Sequence, residues 1–479
     1  MEFIDHEDNP LIVAFRGESA GAAKPARGER DPMKPPTTQE ETGLSPSFLV
    51  ELILKIVHYA EGSTADNVAR VAGLPTSLIT DLLDNLKRDR LCEVVGSVGA
   101  IEGTYRYRLT DRGAERAQQA LERCRYAGAA PVTVEQYERV IQACTANAAR
   151  IEPGLVVQAL EELVVQPRTA ELLERALHSG RSTMVFGPSG NGKTHLLASL
   201  LHRLPGEMLI PYAIYVYGQV VKMFDPLVHV RVQDAEAPPQ ADGQASREGR
   251  ESGRDRRWVR IRRPGLIVGG EVTAESLELA YDPLTRFYQA PKHLKAQGGF
   301  MVVDDFGRQK ISPAEMLNRW IMALERGRDN LLLRTGEAID IPFNVTLLFS
   351  TNLNPDDLAD AAFLRRIPYK LYMPGPTPAD FREILRKACD AHAVPFSESD
   401  LANAVALLDA ASNHRLSGAL ADDIVSIMAD NAEFEGRTPA LTSAAVEAAY
   451  QQFFGLRDSG PVPDRDDTID DWVADELTG

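Results

Sequence analysis

Residues 45–127 carry apolar positions at helical spacing. Phe48, Leu49, Leu52, Ile53, Ile56 and Val57 line one face of a first helix. A second helix is expected over 63–72, closed by Gly73, Leu74 and Pro75. A third, over 76–90, sets Leu78, Ile79, Leu82, Leu83 and Leu86 on one side. The rhythm then shortens to a strand at 91–95, a glycine-bearing loop at 96–103 and a strand at 104–109, before a helix to about residue 125. Residues 1–44 lack periodicity and carry Pro25, Pro32, Pro35 and Pro36, which predicts a disordered arm.

Residues 128–180 read as linker and helices, with Leu172, Leu173 and Leu177 as the last apolar stripe and Gly180 as a helix stop. Short apolar runs then alternate with helical segments. Ser182, Thr183, Met184, Val185 and Phe186 form a buried strand, and 208–217 predicts another central strand. Between about 234 and 257 the composition collapses into Pro, Gly, Gln, Ser, Arg and Glu, a disordered insertion inside a folded domain. Leu266, Ile267 and Val268 predict a strand ending at Glu271, an acid of the site or the start of a helix over 273–281. Phe300 to Val303 and Val345 to Thr351 read as further strands. After Pro374, Gly375 and Pro376, Thr377 and Pro378 start amphipathic helices that continue to about residue 454. Residues 458–479 form an acidic tail around Trp472, expected to be disordered. Strands alternating with helices predict an α/β fold.

The chemistry concentrates where two of these strands end. After Phe186 come Gly187, Pro188, Ser189, Gly190, Asn191, Gly192, Lys193 and Thr194, which fit G-x-x-x-x-G-K-S/T, and His195 opens a helix. The glycines let the backbone curl so that N–H groups point onto anionic oxygens, and the helix adds its positive end. Lys193 then reaches the β- and γ-phosphates, and the Thr194 hydroxyl ligates Mg²⁺. A domain's length later, Asp304 and Asp305 close an apolar strand. Asp304 suits the metal, and Asp305 suits orienting or deprotonating a water. Asn352 ends the next strand, as a γ-phosphate sensor or a turn residue before Asn354 and Pro355. Arg365 and Arg366 follow a short helix, as an ion-paired surface or as fingers reaching a neighbouring subunit's nucleotide.

On these residues, 187–194, Val302-Val303-Asp304-Asp305, Ser350-Thr351-Asn352 and Phe363-Leu364-Arg365-Arg366-Ile367, the stretch from about 165 to 455 resembles the AAA+ branch of P-loop ATPases. The resemblance implies an ATP- and Mg²⁺-dependent α/β core over 128–373 and a C-terminal helical lid over 374–455. It also implies an arginine acting in trans, hence a homo-oligomer, commonly a hexamer in that family. Arg415, in His414-Arg415-Leu416-Ser417-Gly418, falls where the lid supplies a second sensor, or is a surface arginine. A helix around Trp320 and a hairpin turning at Thr335-Gly336 resemble the MoxR-like, magnesium-chelatase and enhancer-activator clades, where the hairpin pushes on a partner. The Asp-Asp ending, with Gly192-Lys193-Thr194-His195, resembles helicase-loader and transposition-helper ATPases instead. Residues 45–127 resemble a winged helix-turn-helix domain.

Charge bears on the partner. The chain of 479 residues has net charge −17, which disfavours nucleic acid as a whole-chain partner. Over 45–127 acids and bases cancel, and the third helix mixes Asp81, Asp84 and Asp89 with Lys87, Arg88 and Arg90. Protein docking is favoured over duplex DNA there, although the wing carries Arg106 and Arg108. Residues 247–263 hold eight arginines and three acids, a solvated loop more readily than an anion site. Four cysteines without a C-x-x-C pair suggest neither a disulfide framework nor zinc. No apolar run has membrane-spanning length, and the acidic start is unlike a signal peptide, so a cytoplasmic location is expected. The expectation is an ATPase that remodels or assembles a protein client. The alternatives are a DNA-bound loader or helper and a nucleotide-dependent scaffold without turnover.

Overall fold

The computed structural model describes residues 33–97, 105–148, 151–232, 253–358 and 364–455. A short helix α1 (Gln39–Thr42) comes first, opened by a capping box between Thr38 and Glu41. Helix α2 (Pro46–Tyr59) starts on the Ser45 hydroxyl with proline in its first turn and buries Leu49, Leu52, Ile53, Ile56 and Val57. Strand β1 (Ser63–Thr64), helix α3 (Ala65–Ala72) and helix α4 (Thr76–Arg88) follow. Strands β2 (Cys92–Ser97) and β3 (Tyr105–Leu109) pair antiparallel, and β1 adds to the far side of β3. Helix α5 (Asp111–Arg123) packs on α2. These elements pack on one apolar cluster that includes Leu52, Val68, Leu82 and Tyr107. Of the glycine-bearing loop expected over 96–103, residues 98–103 lie outside the described residues.

A second layer begins with β4 (Val132–Thr133) and α6 (Val134–Ala148). Helices α7 (Leu155–Leu160) and α8 (Pro167–Ser179) lead to β5 (Thr183–Phe186) and α9 (Lys193–Arg203). Then come β6 (Glu207–Pro211), β7 (Ala213–Val216), β8 (Gln219–Lys222), β9 (Trp258–Arg262), β10 (Gly265–Val268), β11 (Ala280–Asp282) and β12 (Phe287–Gln289). After α10 (Lys292–Lys295), β13 (Phe300–Val303) and α11 (Pro313–Arg326), a hairpin is made by β14 (Arg328–Leu332) and β15 (Ala338–Pro342). Strand β16 (Thr346–Thr351), helix α12 (Pro355–Leu358) and strand β17 (Tyr369–Tyr372) complete the core.

The central sheet runs β10-β13-β16-β5-β17, with every neighbouring pair parallel. Both faces are covered, which is why its strands read as continuous apolar runs. Met184, Met301, Val303, Leu347 and Phe349 point to α11, where Met316, Leu317 and Trp320 meet them. Val185, Val302 and Leu348 point the other way, into α8 and α9. Parallel strands share a direction, so β5, β13 and β16 deliver their C-terminal residues to one edge of the sheet. Helices α13 (Pro378–Ala391), α14 (Glu398–Ala411), α15 (Gly418–Phe434) and α16 (Ser443–Phe454) form a separate apolar cluster around Phe381, Leu408 and Ile424. The molecule is thus α/β, with a five-stranded parallel sheet, a C-terminal helical region and the N-terminal layer of helices and small sheet.

Several expectations are corrected. The apolar stretch 208–217 is not a central strand. It divides at Tyr212 into β6, antiparallel to β9, and β7, which joins a second sheet in the order β11-β12-β8-β7-β4. Apolar character marks a strand but not its partner. The helix expected over 273–281 is a single 3₁₀ turn, Glu275–Leu277, followed by β11. Thr273 and Ser276 hydrogen-bond each other's backbone N–H as at a helix start, but the chain leaves the turn at Glu278, which is extended at φ −111° and ψ 172°. The arm expected to end at 44 contains α1, with Thr42 and Leu44 buried. The insertion expected over 234–257 is structured from 253. Asp255 and Arg257 pair at 2.7 Å with side chains 1% and 4% exposed, and Arg257 donates to Thr42 O and Gln136. Residues 1–32, 234–252 and the acidic tail lie outside the described residues.

The hairpin turns at Thr335-Gly336 as expected, with Gly336 N–H donating to Leu333 O. Its apolar face is occupied within the chain. Leu331, Leu333, Ile339 and Ile341 pack with Tyr137 of α6 and Tyr288 of β12, and Arg328 bonds Glu138. At its base Asp329 accepts from His293 at 2.8 Å and from Arg319 of α11 at 2.5 Å. Trp320 is core, fully buried.

Candidate active site

The loop after β5 is curled by glycines at positions other residues resist. Gly187 has φ +146°, and a Cβ there would lie 2.3 Å from Met373 O, just past β17. Gly190 has φ +79° and meets the C-terminal helical region: its carbonyl accepts from Ala419 N–H at 2.8 Å, and Ser417 lies against it. Pro188 and Ser189 are exposed on the rim. Helix α9 begins at Lys193 with Gly192 as its cap and no side-chain capping bond. Its first N–H groups are therefore left for an anion. His195 is exposed on that first turn.

Lys193 is turned inward. Its Nζ donates to Gly187 O at 2.9 Å and Pro188 O at 2.7 Å, and the residue is 6% exposed. Burial lowers its pKa, opposed by the carboxylates of Asp305 and Asp304. Asn191 is buried beside it with neither amide atom hydrogen-bonded among the described residues. A buried polar side chain without a protein partner leaves its bonds to water or a ligand.

The carboxylates arrive from β13. Thr194 Oγ1 donates to Asp304 Oδ1 at 2.7 Å, joining residues 110 positions apart. Ser350 Oγ, at the end of β16, donates to the same oxygen. Asp305 takes φ +48°, and the turn is clamped by Gln309. Its Nε2 donates to Asp304 O at 2.7 Å and Asp305 O at 3.1 Å, while its Oε1 accepts from Gly307 N–H. The Asp305 carboxylate is exposed. Asn352 stands one residue beyond β16 and is half-buried, after Thr351, whose hydroxyl donates to Phe306 O at 2.8 Å. A hydroxyl and a carboxylate, both hard oxygen donors in contact, fit Mg²⁺.

Other expected residues lie elsewhere. Arg366 is ion-paired with Glu325 of α11, while Arg365 is exposed. Both precede β17, whose first residue pairs with Thr183 at the start of β5. They therefore sit at the end of the sheet opposite Gly187. Arg415 is exposed on the loop two residues ahead of Ser417, the cap of α15. Glu271 is held by Lys292 at 2.8 Å and by Gly269 N–H, and the ammonium lowers its pKa. Sequence reasoning missed the roles of Ser350, Gln309 and Ser417. Ser350 stood within the quoted Ser350-Thr351-Asn352 run, but nothing local names its partner.

Residues 377–452 match a domain of unknown function, DUF8689. No curated protein matches the chain by sequence. Among solved structures, NtrX from Brucella abortus is similar at 13% identity and TM-score 0.37, covering 74% of this chain and 64% of that one. The chain thus spans just under two thirds of the NtrX structure. The RuvB Holliday junction branch migration motor of Thermotoga maritima is similar at 13% identity and TM-score 0.35, covering 64% and 74%. Among the described residues, no helix is long and apolar enough to cross a membrane.

Proposed function

We propose that this chain binds ATP with Mg²⁺ and hydrolyses it in the manner of an AAA+ ATPase, using turnover to remodel or assemble a protein partner. The observation that carries the reading is the 2.7 Å bond from Thr194 to Asp304, which brings the curled loop and the acidic strand end to one point. The loop from Gly187 to Thr194 would hold the phosphates, with Lys193 leaving its two carbonyls for them. Thr194 and Asp304 would hold Mg²⁺, which supplies charge neutralisation across the phosphates when bound. Asp305 would orient or deprotonate the attacking water, and Asn352 would contact the γ-phosphate. Arg365 or Arg366 would serve a neighbouring subunit's nucleotide, since both lie at the far end of their own sheet. That requires a homo-oligomer, with a hexamer the form the resemblance implies.

The proposed units are 45–127, the core 128–373 and the lid 374–455. The lid would report the nucleotide through Ala419 on Gly190, with Arg415 on the adjoining loop. The hairpin packs on its own second layer, so its motion would pass to that layer and the N-terminal helices. Phe48 of α2 meets Tyr215 of β7 there, ring centres 4.4 Å apart. A protein partner for the winged unit agrees with the ion pair of Arg108 and Glu93, which neutralises one of the wing's two arginines.

The test is ATP binding and phosphate release by the purified chain. Lys193→Ala should lose both. Asp305→Asn should keep binding and lose turnover, giving a form able to trap the partner. Turnover at the parental rate in Asp305→Asn would refute the base assignment. Binding without turnover in the parent would favour the scaffold reading.

A further inference from the structure

Asp304 receives two hydroxyl donors on one oxygen. Thr194 donates to Oδ1 from the start of α9, and Ser350 donates to the same atom from β16. We infer that Ser350 is a positioning residue: its hydroxyl sets the Asp304 carboxylate for the divalent ion that accompanies the nucleotide. The inference rests on the ATP and Mg²⁺ reading above.

The strand register brings the pair together. Val303 lies opposite Phe349 on the parallel neighbour, so the next residues, Asp304 and Ser350, are side by side where the strands end. Ser350 is 1% exposed, and a hydroxyl so buried must find an acceptor inside the protein. It finds the carboxylate. An ionised carboxylate oxygen offers two lone-pair directions. With both used at Oδ1, the other oxygen, Oδ2, is left to face the ion or one of its waters. The two donors are not equivalent. Thr194 would also place its own oxygen on the ion, so its orientation answers to two demands. Ser350 has one, and it belongs to the rigid sheet. With alanine at 350, the carboxylate would be held by Thr194 alone and would sample other rotamers. Removal of such an outer partner of a metal-holding group typically weakens metal binding about 10- to 100-fold.

The experiment titrates Mg²⁺ into the full chain with a fluorescent ATP analogue and reads nucleotide affinity, without turnover. Ser350→Ala should need about 10- to 100-fold more Mg²⁺ for half of the affinity gain. Its affinity in EDTA should match the parent, because the loop is untouched. Ser350→Thr, which keeps the hydroxyl, should titrate like the parent. Should Ser350→Ala not fold, Ser350→Cys reads the same contrast with a weak donor of similar size. A parental Mg²⁺ titration in the variant lacking the hydroxyl overturns the inference. So does an equal shift in Ser350→Thr, which would trace the effect to side-chain volume, or an equal loss in EDTA, which would mean collapse of the loop. A parent that binds no analogue at any Mg²⁺ concentration overturns the nucleotide reading instead.

Discussion

Gly187→Ala places a methyl group where the structure has no room for one. The backbone there has φ +146°, a conformation that side-chain-bearing residues adopt at a cost of about 1–3 kcal/mol. The methyl would also lie 2.3 Å from Met373 O. Met373 cannot simply withdraw, because its N–H donates to Phe186 O at 2.8 Å and ties β17 to β5. Giving up that bond costs about 0.5–1.5 kcal/mol more. The sum is about 1.5–4.5 kcal/mol for keeping the curl. A loop that escapes the cost by uncurling loses its inward N–H groups, so the same energy appears as weaker nucleotide binding, roughly 10- to 1,600-fold. Gly336→Ala at the hairpin tip is the control. It has φ +92° with nothing within 4 Å of the added methyl, so it bears backbone strain without a collision and should bind nucleotide normally. Calorimetric titration with ATP and Mg²⁺ measures both. Binding by Gly187→Ala within about threefold of the parent would refute the argument, as would an equal loss in the hairpin variant.

The two arginines ahead of β17 should separate. Arg365→Ala should keep nucleotide affinity and lose at least about 10³-fold in turnover, with activity recovered on mixing with Lys193→Ala chains. Arg366→Ala, which removes a partly exposed pair with Glu325, should cost under about 1 kcal/mol of stability and little turnover; the reverse pattern would transfer the role. At the hairpin base, Asp329→Ala should destabilise by about 3–5 kcal/mol in thermal melts, because it strips a buried carboxylate from His293 and Arg319. Burial pushes the Asp329 carboxyl up, but His293 and Arg319 together outweigh it and hold it below the usual carboxylate range. A depressed folded pKa contributes stability above the unfolded value and loses it as pH falls through the folded one. The difference between parent and variant should therefore shrink as pH falls below about 4. A difference that grows on acidification below about pH 4 would contradict the sign.

Features whose causes are local could be read from the chain alone. A β-rich run, Gly187, Gly190, Gly192 and Lys193 specify a strand, a curl and a helix start, because each depends on residues a few positions away. The apolar run closed by Asp304 and Asp305, the turn at Gly336 and the helix start at Thr377 were legible for the same reason. Folding decided the partners. Periodicity says that 208–217 has an apolar side, but only register assigns its halves to two other sheets rather than the central one. Nothing near Arg257 announces that its guanidinium closes over Thr42 O, or that the base of the hairpin is locked to α11 through Asp329. Composition at 253–257 pointed to disorder, since a buried ion pair and a surface charge run have the same letters. Ser350 is the sharpest case: a serine at a strand end has many possible acceptors. It becomes the neighbour of Asp304 only when β13 and β16 align in parallel, a choice made by core packing along both strands.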